Sequence, residues 1–176
     1  MGSRQVMMWH GSCSFSRKMA SRVLLVGESN PFGGPAANAL LPWPPGCSGS
    51  RLAAILGMDT DTYLRTFDRC NLVVGDWDPR AARSAAQALV ASGRDRVVML
   101  GARVAEAFGV SFSEVFDLGL KMYGGQGSEW EDIRAVRYVV LPHPSGRSRW
   151  WNKPMARERA RDAVARFLEI NRRRHG

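Results

Sequence analysis

Three residues of this chain are of types that could carry out chemistry on a bound ligand: Glu28, Asn71 and His143. A carboxylate or an imidazole can move a proton to or from a reacting group. An asparagine amide offers a hydrogen-bond donor and an acceptor together. Glu28 follows a valine-rich run and a glycine, whereas His143 stands between two prolines after another such run. Whether the three residues act together depends on the elements that position them.

Four apolar runs organise the sequence, at residues 22–27, 70–75, 96–101 and 137–142. Each run is continuously apolar, is rich in valine and ends at a glycine or a proline. This pattern is typical of strands that are buried on both faces, and such strands belong to parallel sheets.

Helical patterns fill the gaps between the predicted strands, at residues 78–93, 102–109 and 155–174. The first of these has Asp78 as its N-cap and Pro79 at its first helical position. Alternating strands and helices predict an α/β fold, a sandwich around a central four-stranded parallel sheet. We find no internal repeat or linker, so we expect an irregular N-terminal arm over 1–20 and a single domain over 21–176.

The polar candidates follow or begin the predicted strands. Glu28, Ser29 and Asn30 come directly after the first strand, Asn71 begins the second, and His143 follows the last. Ligands of parallel sheets bind beyond the carboxyl ends of the strands. The sequence therefore predicts a ligand site at this edge of the sheet.

The net positive charge of the chain favours some classes of binding partner over others. The chain of 176 residues has a net charge of +9 and an isoelectric point of about 10.5. Excess positive charge suits a polyanion, because phosphate contacts release counterions and drive association. We expect a DNA partner, single- or double-stranded; the alternative is a soluble basic protein without such a partner.

The cysteines are scattered at positions 13, 47 and 70, and three thiols cannot complete a four-cysteine zinc or iron–sulfur site. Nothing suggests a disulfide framework, so a reducing, cytoplasmic location is expected. No apolar run approaches the length that crosses a membrane. We expect a monomer that needs no metal or cofactor.

The order and spacing of three short segments resemble the uracil-DNA glycosylase superfamily. The segments are Gly27-Glu28-Ser29-Asn30-Pro31, Asn71-Leu72-Val73-Val74 and His143-Pro144-Ser145-Gly146. Residues 95–109 also resemble the third strand and helix of that superfamily, and the likeness extends over about residues 22–170. The resemblance implies its three-layer sandwich and a monofunctional DNA glycosylase. Such an enzyme hydrolyses the N-glycosidic bond of uracil or a modified pyrimidine flipped out of DNA and leaves an abasic site.

The first loop matches one branch of the superfamily best. The iron–sulfur branch has its acid directly after the glycine, where Glu28 stands, but the four cysteines of its cluster are absent here. Other branches place Asp or Asn at the position of Ser29. The resemblance implies that Glu28 stabilises the cationic sugar or orients water, with Asn30 as the alternative. A structural alternative is that Glu28 pairs with an arginine at the rim.

The resemblance also implies how the base is held. His143 would stabilise the departing base anion, and Asn71 would form paired hydrogen bonds with the base edge. Trp43 and Phe32 are candidates for stacking on the base, and Ser29 would lie beside them. The structural alternatives are a histidine that caps a strand end and an asparagine that satisfies local backbone groups at a strand start.

The segment after His143 resembles the loop that enters the duplex where the base has left. Arg147 takes the wedge position, between Ser145 and Gly146 on one side and Trp150 on the other; Arg149 and Lys153 could hold phosphates. In the proline-rich stretch at 40–52, Pro44 resembles a loop that touches the DNA backbone. Ser48 and Ser50 would cap the next helix with N–H groups free for phosphate. The alternatives are a tryptophan that belongs to the core and a proline loop that is only a rigid connector.

Three other functions remain open. The first loop lacks the Pro-Tyr of the uracil-strict branch, so a glycosylase for bulky modified bases in foreign DNA, as in phage defence, is an alternative to repair. A non-catalytic nucleic-acid-binding module on the same fold is another, although binding alone needs neither Glu28 nor His143. A nucleotide-processing enzyme that acts on free nucleosides is disfavoured by the basic charge.

Overall fold

The computed structural model describes residues 22–30, 38–124 and 133–172. The side chains of Asn30, Glu114 and residues 170–172 are outside this description, as is the N-terminal arm expected over 1–20. Within the described residues the chain forms one five-stranded sheet. Its strands are β1 (Val23–Asn30), β2 (Phe67–Val74), β3 (Arg96–Leu100), β4 (Leu118–Tyr123) and β5 (Arg134–Leu141).

Five α-helices accompany these strands in the described parts of the chain. They are α1 (Ser48–Leu56), α2 (Thr60–Thr66), α3 (Pro79–Ala91), α4 (Ala102–Ala107) and α5 (Ala156–Arg172). Short 3-10 turns lie at Phe112–Glu114 and Arg149–Asn152. No helix within the described ranges is both long enough and apolar enough to cross a bilayer.

The strands are arranged in the order β2-β1-β3-β5-β4. The first four in this order are mutually parallel, whereas β4 pairs antiparallel with β5. The α/β class and the four parallel strands are therefore confirmed, but the prediction of a four-stranded sheet is wrong by one strand. Strand β4 was not predicted because its segment has no continuous apolar run, and its residues Leu120 and Met122 are exposed.

Helices flank the sheet in two packed pairs. α1 contacts α5, and α5 contacts β5; α3 contacts α4, and α4 contacts β1 and β3. This arrangement is compatible with the expected sandwich. The core lies between the helices and the central strands, where all five residues of β3 are buried. Each such aliphatic side chain contributes about 1.5–3 kcal/mol relative to an exposed one.

Helix α3 begins as the sequence predicts. The Asp78 carboxylate accepts hydrogen bonds from the backbone N–H groups of Arg80 and Ala81, at 2.8 and 3.4 Å, and Pro79 is the first helical residue. These contacts satisfy N–H groups that have no partner within the helix. Helix α2 was not predicted, although Asp59 caps it in the same manner.

Strand β2 begins earlier than predicted, at Phe67. Its second residue, Asp68, is charged yet buried. Two arginines compensate this charge, since Arg94 Nη1 lies 2.7 Å from one carboxylate oxygen and Arg22 Nη1 lies 3.9 Å from the other. Asn71 is consequently an interior residue of β2, so its prediction as the first residue of the strand is wrong. It pairs in register with Gly27 of β1.

Candidate active site

A cavity of about 860 Å³ opens at the carboxyl edge of the parallel strands. This pocket, called the main pocket below, contains many of the residues that the sequence singled out. Those that line it are Glu28, Ser29, Trp43, Ser48, Asn71, His143, Ser145 and Arg147. The remaining walls come mainly from the segment before α1, including Leu40, Leu41 and Cys47. The fold therefore brings the predicted candidates from β1, β2 and the loop after β5 into one cavity.

Glu28 lies near the carboxyl end of β1, and its side chain is 24% exposed. Its Oε2 is 3.6 Å from Nη1 of Arg103, a residue of α4 whose own side chain is 59% exposed. The Arg103 guanidinium also lies 5.9 Å from the ring centre of Trp77. The rim arginine considered as an alternative partner is thus present, yet a pair this open contributes little to stability, and Glu28 still faces the main pocket.

His143 is held by its own loop. Its Nδ1 accepts a hydrogen bond from the Ser145 backbone N–H at 3.2 Å. The Trp151 indole Nε1–H donates to the His143 carbonyl oxygen at 3.0 Å. Burial lowers the pKa of the His143 imidazole, and the nearby Glu28 carboxylate opposes this by raising it. A neutral imidazole that accepts at Nδ1 carries its proton on Nε2, which can donate to a ligand.

Gly101 separates Glu28 from His143 at the junction of β3 and α4. It has a φ of +102°, a conformation that side-chain-bearing residues rarely adopt. A Cβ at this position would lie 3.0 Å from Glu28 Oε1 and 3.3 Å from His143 Cβ. The lack of a side chain here lets the carboxylate and the imidazole approach the same space.

Asn71 reaches the main pocket from the neighbouring strand. It is half-buried, and its Oδ1 occupies the place that a Cβ on Gly27 would take. The amide therefore crosses the backbone of β1 one residue before Glu28. Asn71 pairs in register with Gly27 and lines the main pocket, so its side-chain amide, a donor and an acceptor together, is placed to recognise a ligand.

The segment before α1 forms the wall opposite the strands. The Tyr63 hydroxyl donates to the Leu40 carbonyl at 3.0 Å, and burial raises the pKa of that phenol, so it stays protonated. The Cys47 thiol donates to the Leu41 carbonyl at 3.1 Å. Trp43 stands at the mouth of the pocket with half of its surface exposed. An exposed aromatic ring at a cavity mouth is available for stacking.

Cys47, rather than a serine, caps helix α1. Its Sγ accepts a hydrogen bond from the Ser50 backbone N–H at 3.4 Å, and the helix begins at Ser48. The prediction that Ser48 and Ser50 cap this helix is therefore wrong, since both belong to its first turn. Ser48 still lines the main pocket.

The loop after His143 is supported by its two tryptophans. Trp150 packs edge-on against Phe112 and Phe116, with ring centres 6.0 and 6.3 Å apart, and Trp151 packs edge-on against Phe116 at 6.4 Å. Lys153 Nζ lies 3.5 Å from the ring centre of Trp150, a cation–π contact. Both tryptophans are half-buried and pack against the core, so the alternative of a core tryptophan holds only in part, since neither of the two is fully buried.

The basic tip of this loop is open. Arg147, Gly146 and Arg149 are exposed, and Arg147 also lines the main pocket. Pro44, from the other wall, is exposed as well. Arg147, which the sequence predicts as a wedge, thus lies at the rim of the main pocket.

Two candidates cannot be placed. Phe32 lies outside the described residues, and only the backbone of Asn30 is described, as the last residue of β1 in register with Val74. The choice between Glu28 and Asn30 as the group that orients water therefore stays a prediction.

Sequence reasoning missed two residues that shape the site, Arg103 and Gly101. The signal for both was the Gly-Ala-Arg that follows the third predicted strand, at the same edge as the other candidates. Among the described residues, no three His, Cys, Asp or Glu side chains are grouped so that they could hold a metal ion.

Neither a protein-family model nor a curated protein sequence matches this chain. The case for a function therefore depends on the geometry of the main pocket and on the resemblance of its motifs.

Proposed function

We propose that this protein is a monofunctional DNA glycosylase with a uracil-DNA glycosylase-like fold. It would hydrolyse the N-glycosidic bond of uracil or a modified pyrimidine that is flipped out of DNA. The observation that carries the proposal is that Glu28, Asn71 and His143 line one cavity at the carboxyl edge of the sheet. A carboxylate, an amide and an imidazole are the groups that this reaction uses.

Each group has a distinct task in the proposed reaction. The bond between C1′ of the sugar and the base nitrogen breaks with its electron pair leaving on the base. The oxygen of water bonds to C1′, and the proton that the water loses ends on the departed base, so the products are the free base and the abasic sugar. Glu28 stabilises the cationic sugar or orients the water. His143 donates a hydrogen bond from Nε2 to the oxygen on which negative charge develops. Asn71 pairs with the edge of the base.

The electrostatics of the pocket support this division. Burial keeps the pKa of His143 below its ordinary value, which favours a neutral donor that can share a small cavity with a base. Arg103 lies 3.6 Å from the Glu28 carboxylate, and the Glu28 side chain is 24% exposed, so the carboxylate is held at the pocket by a cation that leaves it open to a ligand.

DNA binding is supported by the charge and by the rim. The chain has a net charge of +9, and the exposed Arg147 lies beside the pocket, where it could fill the gap left by a flipped base. Trp43 at the mouth can stack on that base. We further propose that the protein acts as a cytoplasmic monomer.

A second candidate is a glycosylase for bulky modified bases, including those of foreign DNA. The size of the main pocket, about 860 Å³, favours it, because pockets of roughly 300–1,000 Å³ hold ligands of drug size. A pyrimidine alone is smaller than such ligands. The pocket therefore has room for a substituent on the base.

Purified protein should be incubated with matched oligonucleotides that carry uracil, 5-hydroxymethyluracil or glycosylated 5-hydroxymethylcytosine, each single- and double-stranded. Abasic sites are scored by strand cleavage in alkali. The proposal expects excision of at least one base by the native protein and at least a 100-fold slower excision by Glu28→Gln and His143→Ala, on the scale of single catalytic groups.

Two results would contradict the proposal. DNA binding without excision from any substrate would indicate a binding module on the same scaffold. Release of base from free nucleosides, with none from oligonucleotides, would indicate a nucleoside-processing enzyme.

A further inference from the structure

A second, smaller cavity of about 190 Å³ adjoins the main pocket. It is called the arginine pocket below, because Arg51 of α1 and Arg157 of α5 both line it. Ser145 and Ser148 line this cavity and the main pocket alike. A group bound here would therefore be adjacent to a ligand in the main pocket, across the loop that follows His143.

Arg51 is positioned by contacts on both sides. Its Nε donates to the Gly46 carbonyl at 2.8 Å, which fixes the plane of the guanidinium and leaves its two terminal nitrogens for other partners. A Cβ on Gly146 would lie 2.5 Å from Nη1 and 3.0 Å from Nη2. The guanidinium thus lies directly beneath the backbone of the loop at a position that has no side chain.

Arg157 is positioned through the contact between α1 and α5. One turn further along α5, Arg161 Nε donates to the Ile55 carbonyl of α1 at 2.7 Å. Residues four apart on a helix share a face, so this hydrogen bond presents Arg157 to the same side of α1. Asn152 adds an amide to the lining.

The charged residues in the lining of the arginine pocket are both cations, Arg51 and Arg157. Among the described residues that line it, none is acidic. Two guanidinium groups that share a small cavity repel one another, and an anion between them would relieve this. Guanidinium forks match phosphate oxygens in geometry as well as in charge.

We propose that the arginine pocket binds a phosphodiester of the DNA strand whose nucleotide enters the main pocket. That the phosphate belongs to the DNA strand rests on the proposed function. That the pocket binds a phosphate rests on the two arginines alone. The shared serines place the bound phosphate next to the flipped nucleotide. Arg51 and Arg157 thereby anchor the backbone while the base enters the main pocket.

The test measures DNA binding without chemistry. Arg51→Gln, Arg157→Gln and the double variant are compared with the native protein on an oligonucleotide that contains no target base. The control is Arg65→Gln, which removes the same charge from an exposed residue of α2 just before β2 begins, at the opposite edge of the sheet. Affinity is measured by anisotropy between about 50 and 200 mM salt.

The double variant should lower the magnitude of the slope of log K against log salt by about one, because one phosphate contact is lost, and each single variant should lower it by part of that amount. Slopes for Arg51→Gln and Arg157→Gln that equal that of Arg65→Gln would overturn the proposal. Arg157 is an exposed residue of α5, so its variant tests binding with little risk to the fold.

A neutral methylphosphonate, moved one position at a time along the strand, then locates the phosphate. On a second oligonucleotide, which carries one non-cleavable analogue of the target nucleotide, the methylphosphonate beside that analogue should weaken binding by the native protein but have no further effect on binding by the double variant. A dependence on a 5′-terminal phosphate instead would reassign the pocket to strand ends and overturn the phosphodiester. The slopes are measured without excision, so a protein that excises no base can still show the expected loss of slope. A failure of the phosphate site and a failure of the proposed function are therefore distinguishable.

Discussion

The two edges of the sheet carry similar charged residues in different settings. At the amino edge, Asp68 contacts Arg94 at 2.7 Å, and both side chains are less than 10% exposed. At the carboxyl edge, Glu28 lies 3.6 Å from Arg103, and both side chains are considerably more open. The first pair is closed and desolvated, whereas the second is long and reachable by solvent or by a ligand.

This difference separates a stabilising carboxylate from a functional one. A buried ion whose partner is removed is left uncompensated, so the amino-edge pair must stay intact for the fold to be stable. An open pair can exchange its partner for the charge of a ligand at little cost. The same residue types therefore serve the fold at one edge and a ligand at the other.

The largest effect is expected at the amino edge. Asp68→Asn should lower the free energy of unfolding by about 3–5 kcal/mol, because it removes a buried carboxylate that faces both Arg94 and Arg22. Urea denaturation measures the loss. The control is Glu106→Gln, which breaks a pair with Arg83 in which both side chains are exposed, and it should cost less than about 1 kcal/mol. Equal losses from the two variants would remove the distinction between closed and open pairs.

The next effect is expected at the carboxyl edge. Glu28→Gln should slow excision at least about 100-fold while DNA affinity and unfolding free energy change little, since the carboxylate acts on the reacting sugar. Single-turnover cleavage and a urea titration of the same preparation provide both values. Normal excision by this variant would make Glu28 a structural residue and Asn30 the candidate.

A smaller effect should distinguish the rim from the chemistry. Arg147→Ala should slow excision from paired DNA much more than from a single strand, because extruding a stacked base costs a few kcal/mol that only the duplex imposes. His143→Ala should slow both alike. The measurement is single-turnover cleavage of matched oligonucleotides; equal losses for Arg147→Ala on the two substrates would limit this residue to gripping phosphate or ordering the loop.

The smallest effect concerns the titration of His143. Its pKa should lie below the ordinary 6.5 because of burial, and Glu28→Gln should lower it further by removing the carboxylate that raises it. Imidazole NMR signals followed against pH give both midpoints. As pH falls through about 6.5, this histidine gains its proton in the unfolded chain before it does so in the folded protein. Protonation therefore favours the unfolded chain, and the free energy of unfolding decreases at acid pH. A midpoint at or above 6.5 in the native protein would contradict the burial seen here.

The parallel strands could be predicted because burial on both faces leaves a continuous apolar run, as in β3. Strand β4 could not be predicted in this way. It lies at the edge of the sheet and exposes Leu120 and Met122, so its sequence does not form a continuous apolar run. The start of β2 was missed for a related reason. A charged residue such as Asp68 favours a loop in a sequence-based prediction. Its place in a buried strand depends on Arg94, which is distant in sequence and compensates its charge.

The candidate site was predictable where strand ends meet, because parallel strands deliver Glu28 and His143 to the same edge. The partners of these residues were not. Arg103 reaches Glu28 only through the packing of α4 on β1, and the Trp151 hydrogen bond to the His143 carbonyl depends on how the loop folds back. Such contacts are set by tertiary structure and leave no local pattern.

Gly101 has a consequence for how freely this sequence can vary. An alanine there would need a backbone angle that it seldom adopts and would push its methyl group against both Glu28 and His143. Gly93 has a comparable φ of +88°, but a Cβ there would meet nothing within 4 Å. In a saturation library selected for folded protein, position 93 should accept asparagine, the residue that best tolerates this conformation. Position 101 should accept glycine alone, so an evolving lineage could discard the chemistry of its neighbours more easily than it could change this one residue.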